Sequence, residues 1–208
     1  MSESRSASRA WQDHLLFLGR FLRSPRTVGA IAPSSRRLAS RMIDGLDLGG
    51  RVRMAELGPG TGSFTAAIAT RLPEGGRCLA VERDETFARR LAGRWPSIDC
   101  VAAGAERLAA LAASRDLVPL DHIVSGLPFA SLPADTTRNV MDAIRETLRP
   151  GGTFTTFQYL HAYWLPPAVA FRRAMTERMG GGPSRTLVVG NLPSAFVLRW
   201  RRAEREVA

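Results

Sequence analysis

The chain has no lysine, and all 29 of its basic residues are arginine. A phosphate-binding P-loop ends in Gly-Lys-Ser or Gly-Lys-Thr, so a nucleotide site of that class is excluded. The two cysteines, Cys78 and Cys100, form no C-x-x-C pair, and the three histidines form no cluster. We therefore expect no metal site and no structural disulfide, as is usual in a reducing compartment.

Long apolar runs are also missing. No stretch approaches the length that a transmembrane helix needs. The apolar stretch near the N-terminus is interrupted by Gly19 and Arg20, and it lacks a small-residue cleavage site, which argues against a signal peptide. These absences favour a protein that stays in the cytoplasm.

The positive charge is concentrated at the two ends of the chain. The net charge is +10; residues 1–53 hold ten arginines against four acids, and residues 161–208 hold eight against three. Residues 54–160 are nearly neutral, with eleven arginines against twelve acids. Such an asymmetry indicates a polyanionic partner, either nucleic acid or an acidic membrane surface.

Strand and helix patterns alternate along residues 49–208, which we expect to form one domain preceded by an N-terminal segment, 1–48. Strands are predicted at 52–56, 78–82, 98–102, 120–125, 153–159, 185–189 and 195–200, and helices at 33–43, 64–72, 85–94, 105–114, 135–148 and 171–179. This alternation predicts an α/β fold with a doubly wound, Rossmann-like sheet, mostly parallel with an antiparallel closing strand.

Residues 7–23 have the pattern of an amphipathic helix. Apolar residues recur at helical spacing beside three arginines: Trp11, Leu15, Leu18 and Leu22, broadened by Phe17 and Phe21, next to Arg9, Arg20 and Arg23. This composition is typical of a helix that lies in a membrane interface. The alternative is a helix that packs its apolar face on the protein core.

A glycine-rich turn, Glu56-Leu57-Gly58-Pro59-Gly60-Thr61-Gly62, follows the first predicted strand. Its G-x-G-x-G spacing differs from the G-x-G-x-x-G of dinucleotide-binding folds. Gly58 and Gly60 would let the backbone approach a ligand, and Glu56 suits a ligand with an ammonium group, such as S-adenosylmethionine. Glu82, at the end of the next strand, would accept hydrogen bonds from ribose hydroxyls. The alternative is that the glycines only form a tight turn.

Two further groups follow later strands. In Ser125-Gly126-Leu127-Pro128-Phe129, the backbone carbonyls could hold an amine, and the Phe129 ring could contact its charge. Tyr159 and His161, after the fifth predicted strand, could orient a phosphate or help a proton leave. A plain strand-to-helix turn and aromatic residues that close the core are the respective alternatives.

The glycine-rich turn resembles motif I of the class I S-adenosylmethionine-dependent methyltransferases. Three other stretches narrow the resemblance: Val28-Gly29-Ala30-Ile31-Ala32-Pro33-Ser34-Ser35, the loop from Ser125 to Phe129, and the amphipathic N-terminus. With these, essentially the whole chain resembles the bacterial phospholipid N-methyltransferases, which convert phosphatidylethanolamine stepwise to phosphatidylcholine.

The resemblance implies S-adenosylmethionine as cofactor, a phospholipid substrate, no metal, and a cytoplasmic enzyme held peripherally on the inner face of the cell membrane. The implied cofactor contacts are Ser34, Ser35, Glu56, Gly58, Gly60, Glu82, Arg83, Ala105, Glu106 and Ser125. The implied catalytic set is Ser125, Gly126, Leu127, Phe129, Tyr159 and His161. One departure is Gly104-Ala105-Glu106, where the family often has Gly-Asp-Ala; the acid for the adenine amine is therefore missing at Ala105 or displaced to Glu106.

Two rival functions fit part of the sequence. A ribosomal RNA adenine N6-dimethyltransferase shares motif I and a basic surface. It favours Asn-Leu-Pro-Tyr at the loop where Ser125 and Phe129 stand here, and it usually has a C-terminal helical domain, so nucleic acid is the less expected partner. A non-catalytic membrane-binding or membrane-remodelling protein would explain residues 7–23 but not the intact glycine turn.

Overall fold

The computed structural model describes residues 33–189, 191 and 193–204, so the predicted interfacial helix at 7–23 lies outside the described residues. The helices are α1 (Pro33–Ile43), α2 (Ser63–Arg71), α3 (Glu85–Arg94), α4 (Leu108–Ala113), α5 (Ala134–Thr147) and α6 (Pro166–Met179). The strands are β1 (Arg53–Leu57), β2 (Arg77–Glu82), β3 (Asp99–Ala102), β4 (Leu120–Ser125), β5 (Leu148–Tyr159), β6 (Ser184–Val188) and β7 (Ala195–Arg201).

The seven strands form one sheet in the order β3-β2-β1-β4-β5-β7-β6. Strands β1 to β5 run parallel to one another, and β7 is antiparallel to both β5 and β6. This topology confirms the predicted doubly wound sheet with an antiparallel closing strand. Because the strand order reverses between β1 and β4, a crevice for a ligand opens at the carboxyl ends of these two strands.

Local chemistry sets the helix ends next to this crevice. Gly62 adopts a left-handed conformation (φ 86°) directly before α2. The Asp84 carboxylate caps α3 by accepting from the backbone amides of Thr86 and Phe87. Proline at the first positions of α6 is compatible with the helix because its missing N–H would be unpaired there anyway. The starts of α2 and α3 thus fix where the loops after β1 and β2 end.

Two apolar clusters fill the space between the sheet and its helices. One contains Leu57, Ile123, Phe154 and Trp200 with residues of α4, α5 and α6, and the other contains Met54, Ile68 and Val124 with α1 and α2. Helix α1 buries Leu38, Ala39, Met42 and Ile43 in the second cluster, and a fully buried large side chain of this kind stabilises a fold by about 1.5–3 kcal/mol. The predicted segment boundary at residue 48 falls after α1, which is thus part of the core.

Most predicted strand and helix ends lie within one residue of the observed ones, and three places differ by more. Strand β5 begins at Leu148 rather than 153, because Leu148 pairs with Leu120 ahead of a register shift, and left-handed Gly151 donates to the Arg202 carbonyl. Helix α6 begins at Pro166 rather than 171. The predicted helix at 105–114 is divided into a 3₁₀ turn (Ala105–Arg107) and α4. None of the helices in the described part of the chain has the length and apolarity to cross a membrane.

Candidate active site at the carboxyl edge of the sheet

The turn after β1 forms a backbone cradle. Gly58 and Gly60 have positive φ angles of 68° and 56°, a conformation that favours glycine. The Gly58 amide donates to the Val81 carbonyl over 3.0 Å, which ties the turn to β2. A Cβ on Gly58 would lie 2.6 Å from Leu127 Cδ2. Glycine therefore lets this turn lie directly against the loop that follows β4.

The loop after β4 completes the crevice. The Gly126 amide donates to the Leu57 carbonyl over 2.8 Å, and a Cβ on Gly126 would lie 2.7 Å from the Gly58 carbonyl oxygen. Ser125 is fully buried; its Oγ accepts from the Leu127 amide over 3.2 Å, and its carbonyl accepts from Thr156 Oγ1 over 3.1 Å. The structure thus brings together the predicted acceptor loop and the predicted cofactor turn.

Glu82 lies at the end of β2, across from the glycine cradle. Its two carboxylate oxygens accept from the backbone amides of Gly60 and Asp84, each over 2.9 Å. An ionised carboxylate has about four acceptor positions, so capacity remains for a ribose diol. Arg83, the next residue, is exposed. The sequence did not single out Asp84, although an aspartate at a strand end before a helical pattern is the usual sign of a helix cap.

Glu56 is a buried acid without a hydrogen-bond partner in the described part of the chain. Its side chain is 0% exposed, and neither carboxyl oxygen is bonded to a described residue. Burial raises the pKa of the Glu56 carboxyl to about 8, although adjacent Thr65 opposes the shift, so the group is mostly protonated at neutral pH. Its ionised form needs a cationic partner at this buried position. The ammonium group of S-adenosylmethionine fits that need, beside a glycine cradle that can approach the ligand closely.

The residues after β3, Gly104-Ala105-Glu106, are those at which the sequence departs from the family pattern expected near the adenine. Ala105 is buried in the apolar core, whereas Glu106 is exposed. The Glu106 carboxylate lies over Gly104, where a Cβ would overlap it. Glu106 thus supplies an acid at the edge where Ala105 has none.

Aromatic rings run from the crevice toward the surface. The Phe64 ring lies 3.5 Å from the position of a Cβ on Gly126, and it contacts Phe157 edge to face, with 5.8 Å between ring centroids. Phe157 contacts Tyr159 in the same way, and Tyr159 stacks on the exposed His161 with 5.7 Å between centroids. Burial raises the pKa of Tyr159, so its phenol stays protonated at neutral pH. The predicted role of Tyr159 and His161 in orienting a phosphate or releasing a proton stays a prediction.

Phe129 differs from its predicted role. The sequence suggested an open aromatic face for an amine, but the ring is only 6% exposed. It stacks on Phe171 at 4.4 Å between centroids and meets Phe154 edge to face at 6.1 Å. With one face stacked on Phe171 and only 6% of the residue exposed, the Phe129 ring offers no open face to a cation. In this structure Phe129 holds the loop after β4 to the core.

Other predicted site residues are less defined. Ser34 and Ser35 lie in the first turn of α1. The cofactor contacts predicted for their side chains lie outside what the structure describes. The sequence analysis also missed Thr65, which lies on α2 next to Glu56. The signal that could have found it is a polar residue between the apolar residues at the start of that helix. Within residues 33–189, 191 and 193–204, no group of three His, Cys, Asp or Glu side chains could hold a metal ion.

Glu82→Ala is expected to weaken cofactor binding by roughly tenfold or more, because buried hydroxyls left unpaired cost about 1–3 kcal/mol per group. Calorimetric titration with S-adenosylmethionine measures the effect. Glu85→Ala is the matched control, since Glu85 is exposed on α3 and pairs only with Arg89. Equal affinities of the two variants would remove Glu82 from the site.

Phe129→Ala is expected to destabilise the protein by about 3–5 kcal/mol, the usual cost of removing a buried phenylalanine side chain. Because the ring holds the loop after β4, methyl transfer and cofactor binding should fall together. Phe129→Leu keeps most of the buried volume and should restore most of the stability. Urea unfolding and calorimetry check this; normal stability with selective loss of transfer would return Phe129 to the amine-binding role.

Comparisons with known proteins agree with this geometry. A family profile described as Methyltransferase domain matches residues 55–156, which span β1 to β5 and include the glycine cradle and Glu82. The chain is 33% identical over 146 residues to an ornithine lipid N-methyltransferase of Singulisphaera acidiphila, an alignment that covers 69% of this chain and 76% of that protein.

Solved structures share the fold. A Burkholderia thailandensis 1,6-didemethyltoxoflavin-N1-methyltransferase with bound S-adenosylhomocysteine superposes with a TM-score of 0.65 at 18% identity, covering 98% of this chain and 92% of that one. The O-methyltransferase TomG of Streptomyces achromogenes, in complex with S-adenosylmethionine, gives 0.63 at 19% identity, with the same coverages of 98% and 92%. The Bacillus cereus O-methyltransferase with S-adenosylhomocysteine gives 0.61 at 17%, covering 92% and 90%.

The fold and the site together define a methyltransferase that uses S-adenosylmethionine. The chain belongs to the class I S-adenosylmethionine-dependent methyltransferases. The cofactor predicted from the glycine turn is thereby confirmed.

Proposed function

We propose that this enzyme methylates the amine of a membrane lipid, and that its substrate is phosphatidylethanolamine, carried through the mono- and dimethyl forms toward phosphatidylcholine. The observation that carries the lipid part is the 33% identity to an ornithine lipid N-methyltransferase over 146 residues. The phospholipid part rests on the resemblance of the Val28–Ser35 stretch and the Ser125–Phe129 loop to phospholipid N-methyltransferases.

S-adenosylmethionine, when bound, supplies a methyl group on a positively charged sulfur. Glu56 would hold its ammonium group, and Glu82 would accept hydrogen bonds from its ribose. Gly58 and Gly60 would let the backbone of the turn approach the bound cofactor closely.

The chain's own acceptor loop would position the amine. Ser125 Oγ already accepts one hydrogen bond, and it retains a lone pair for an amine N–H. A primary ammonium has a reference pKa of about 10.4, so it must lose a proton before its nitrogen can attack. Desolvation in the crevice favours that loss. His161, which is exposed, would pass the proton to solvent. Tyr159, kept neutral by burial, can donate to a headgroup anion.

The relative's name makes ornithine lipid the second candidate substrate. Both lipids present an amine and an anionic group on one headgroup, a phosphate in one and a carboxylate in the other. The decisive experiment uses labelled S-adenosylmethionine with vesicles of phosphatidylethanolamine, vesicles of ornithine lipid, or ribosomal RNA.

Label in mono-, di- and trimethylated phosphatidylethanolamine is the expected result. Label confined to ornithine lipid would move the substrate to that class, and label in RNA would favour the adenine dimethyltransferase. Vesicle binding with no label in any acceptor would indicate a non-catalytic membrane protein.

A membrane lipid substrate also requires contact with a bilayer, and we propose that residues 7–23 lie on the inner face of the cell membrane. Deleting residues 1–23 removes Arg9, Arg20 and Arg23 in addition to the Arg5 that a deletion of residues 1–6 removes. Each of these three is worth about 1 kcal/mol near an anionic surface, so vesicle binding should be roughly a hundredfold weaker than after the shorter deletion at low salt. Deleting only residues 1–6 is the control. Cosedimentation with anionic vesicles measures both; undiminished binding of the longer deletion would show that this segment is not an anchor.

A further inference from the structure

Exposed apolar side chains collect at one place on the folded domain. Seven large hydrophobic residues are exposed among the described residues, and all but Val118 lie in the stretch 160–169 or at the end of β6. Trp164 is 72% exposed and Val189 67%, against 39% for Val118. The six that cluster are Leu160, Trp164, Leu165, Val169, Leu187 and Val189, called here the Trp164 surface. A patch of this kind on a soluble domain marks an interaction site.

The two parts of the Trp164 surface are connected through β7 and the residue that precedes it. Leu160 donates its amide to the Ser194 carbonyl over 2.8 Å, which ties the segment after β5 to the start of β7. The Tyr163 ring contacts both Trp164, at 4.9 Å, and Phe196, at 4.6 Å between centroids. Phe196 is the register partner of Leu187 on β6. Leu187 and the 160–169 segment therefore lie on the same face of the sheet.

Positive charge surrounds this surface. Arg172 lies over the Tyr163 ring at 3.8 Å, and Arg185 Nη1 donates to the Tyr163 hydroxyl over 3.4 Å. Neither guanidinium forms an ion pair with any described carboxylate. The sequence contains no acid in residues 147–176 or 178–203. Burial lowers the pKa of Arg172, and the positive Arg185 adds to that effect.

The surface also lies at the correct edge of the sheet. The 160–169 segment follows the carboxyl end of β5, and β6 ends at the same edge because Val188, Ala195 and Tyr159 are register partners. This is the edge where Ser125 ends β4, one strand from β5. Measured across the strands, which are about 4.8 Å apart, the surface extends from one to three strands away from β4. Strand β5 also continues to Tyr159, beyond Thr155, the register partner of Val124.

We infer that the Trp164 surface docks on an anionic lipid bilayer, with its apolar side chains among the lipid headgroups and Arg172 and Arg185 at the phosphates. The inference rests on the proposed lipid substrate and adds a contact on the folded domain, distinct from residues 7–23. Exposed tryptophan beside uncompensated arginine is the composition that membrane interfaces favour. Docking there would bring the crevice edge to the headgroups, so a lipid amine reaches the loop after β4 without leaving the membrane.

The first experiment uses the full chain with Trp164→Ser and Leu165→Ser together, and Val118→Ser as the control at the opposite edge. Acceptors are phosphatidylethanolamine in vesicles with phosphatidylglycerol, and a short-chain, monomeric phosphatidylethanolamine. The double variant should lose roughly tenfold or more of its transfer to vesicles and keep its transfer to monomers. Val118→Ser should match the wild type on both. Equal loss on both acceptors, or no loss on vesicles, would overturn the inference.

The second experiment does not need methyl transfer, so it separates this inference from the proposed substrate. In a Trp11→Phe background three tryptophans remain, namely Trp95, Trp164 and Trp200. Vesicles with brominated acyl chains should quench the fluorescence of Trp164, because Trp200 is 0% exposed and half-buried Trp95 lies between α3 and β3, at the other end of the strand order. Adding Trp164→Phe should remove most of that quenching. If the wild type methylates neither lipid but quenching persists, the substrate proposal fails and the docking stands. If the wild type shows no quenching, the docking proposal is wrong. It is also wrong if the double variant changes from a dimer to a monomer and still binds vesicles, because the surface would then be a contact between two copies of the chain.

Discussion

Gly126→Ala is expected to reduce methyl transfer by roughly a hundredfold, because a displacement of about 1 Å at a reacting centre can cost that much. A Cβ at this position would meet the Gly58 carbonyl oxygen at 2.7 Å, a backbone atom that no side-chain rotation can move away. The turn after β1 and the loop after β4 must then separate. That separation acts on the cofactor cradle and on the amine loop together, so both affinity for S-adenosylmethionine and turnover should fall.

The matched control for this change is Gly93→Ala. Gly93 lies on α3, and a Cβ there would have nothing within 4 Å. Alanine is favoured over glycine in a helix by about 1 kcal/mol, so this variant should be as active as the wild type and slightly more stable. Steady-state kinetics and calorimetry measure both variants. Wild-type kinetics in Gly126→Ala would show that the contact between the two loops is not needed for transfer.

The sheet could be predicted closely because its signals are local. The predicted strand Leu120–Ser125 matches the observed bounds of β4. The cradle followed from glycines whose positive φ angles other residues rarely adopt. The prediction placed Glu56 and Glu82 at neighbouring strand ends because parallel strands present their carboxyl ends at one edge.

The roles of single side chains were harder to predict, because they depend on packing between distant segments. Phe129 stacks on Phe171, 42 positions away, and nothing in the loop's own sequence indicates this partner. The sequence likewise gave no sign that Glu56 would be left without a hydrogen bond. The Trp164 surface arises only when β6 and β7 bring Leu187 next to the segment after β5. Such contacts follow from the topology as a whole.

Glu56→Gln is expected to change how the stability of the cofactor-free protein depends on pH. Burial raises the folded pKa of Glu56 from 4.5 to about 8. Between pH 4.5 and pH 8 the folded protein holds a proton on Glu56 that the unfolded chain releases. The contribution of this protonation to folding stability is therefore fully present below pH 4.5 and is lost as the pH rises through 8. Each unit of difference is worth about 1.4 kcal/mol, so the wild type should lose up to about 5 kcal/mol relative to the glutamine variant between pH 5 and pH 9.

The measurement is urea unfolding of both proteins across this pH range without cofactor. Taking the difference between them removes the titration of groups common to both, such as His122, whose pKa is lowered chiefly by burial. Saturating S-adenosylmethionine should reverse the order at high pH, since its ammonium pairs with the carboxylate and not with the amide. Parallel stability curves for the two proteins at every pH would mean that Glu56 is solvated or paired in the free protein. The unpartnered carboxylate would then no longer explain why the crevice selects a cationic ligand.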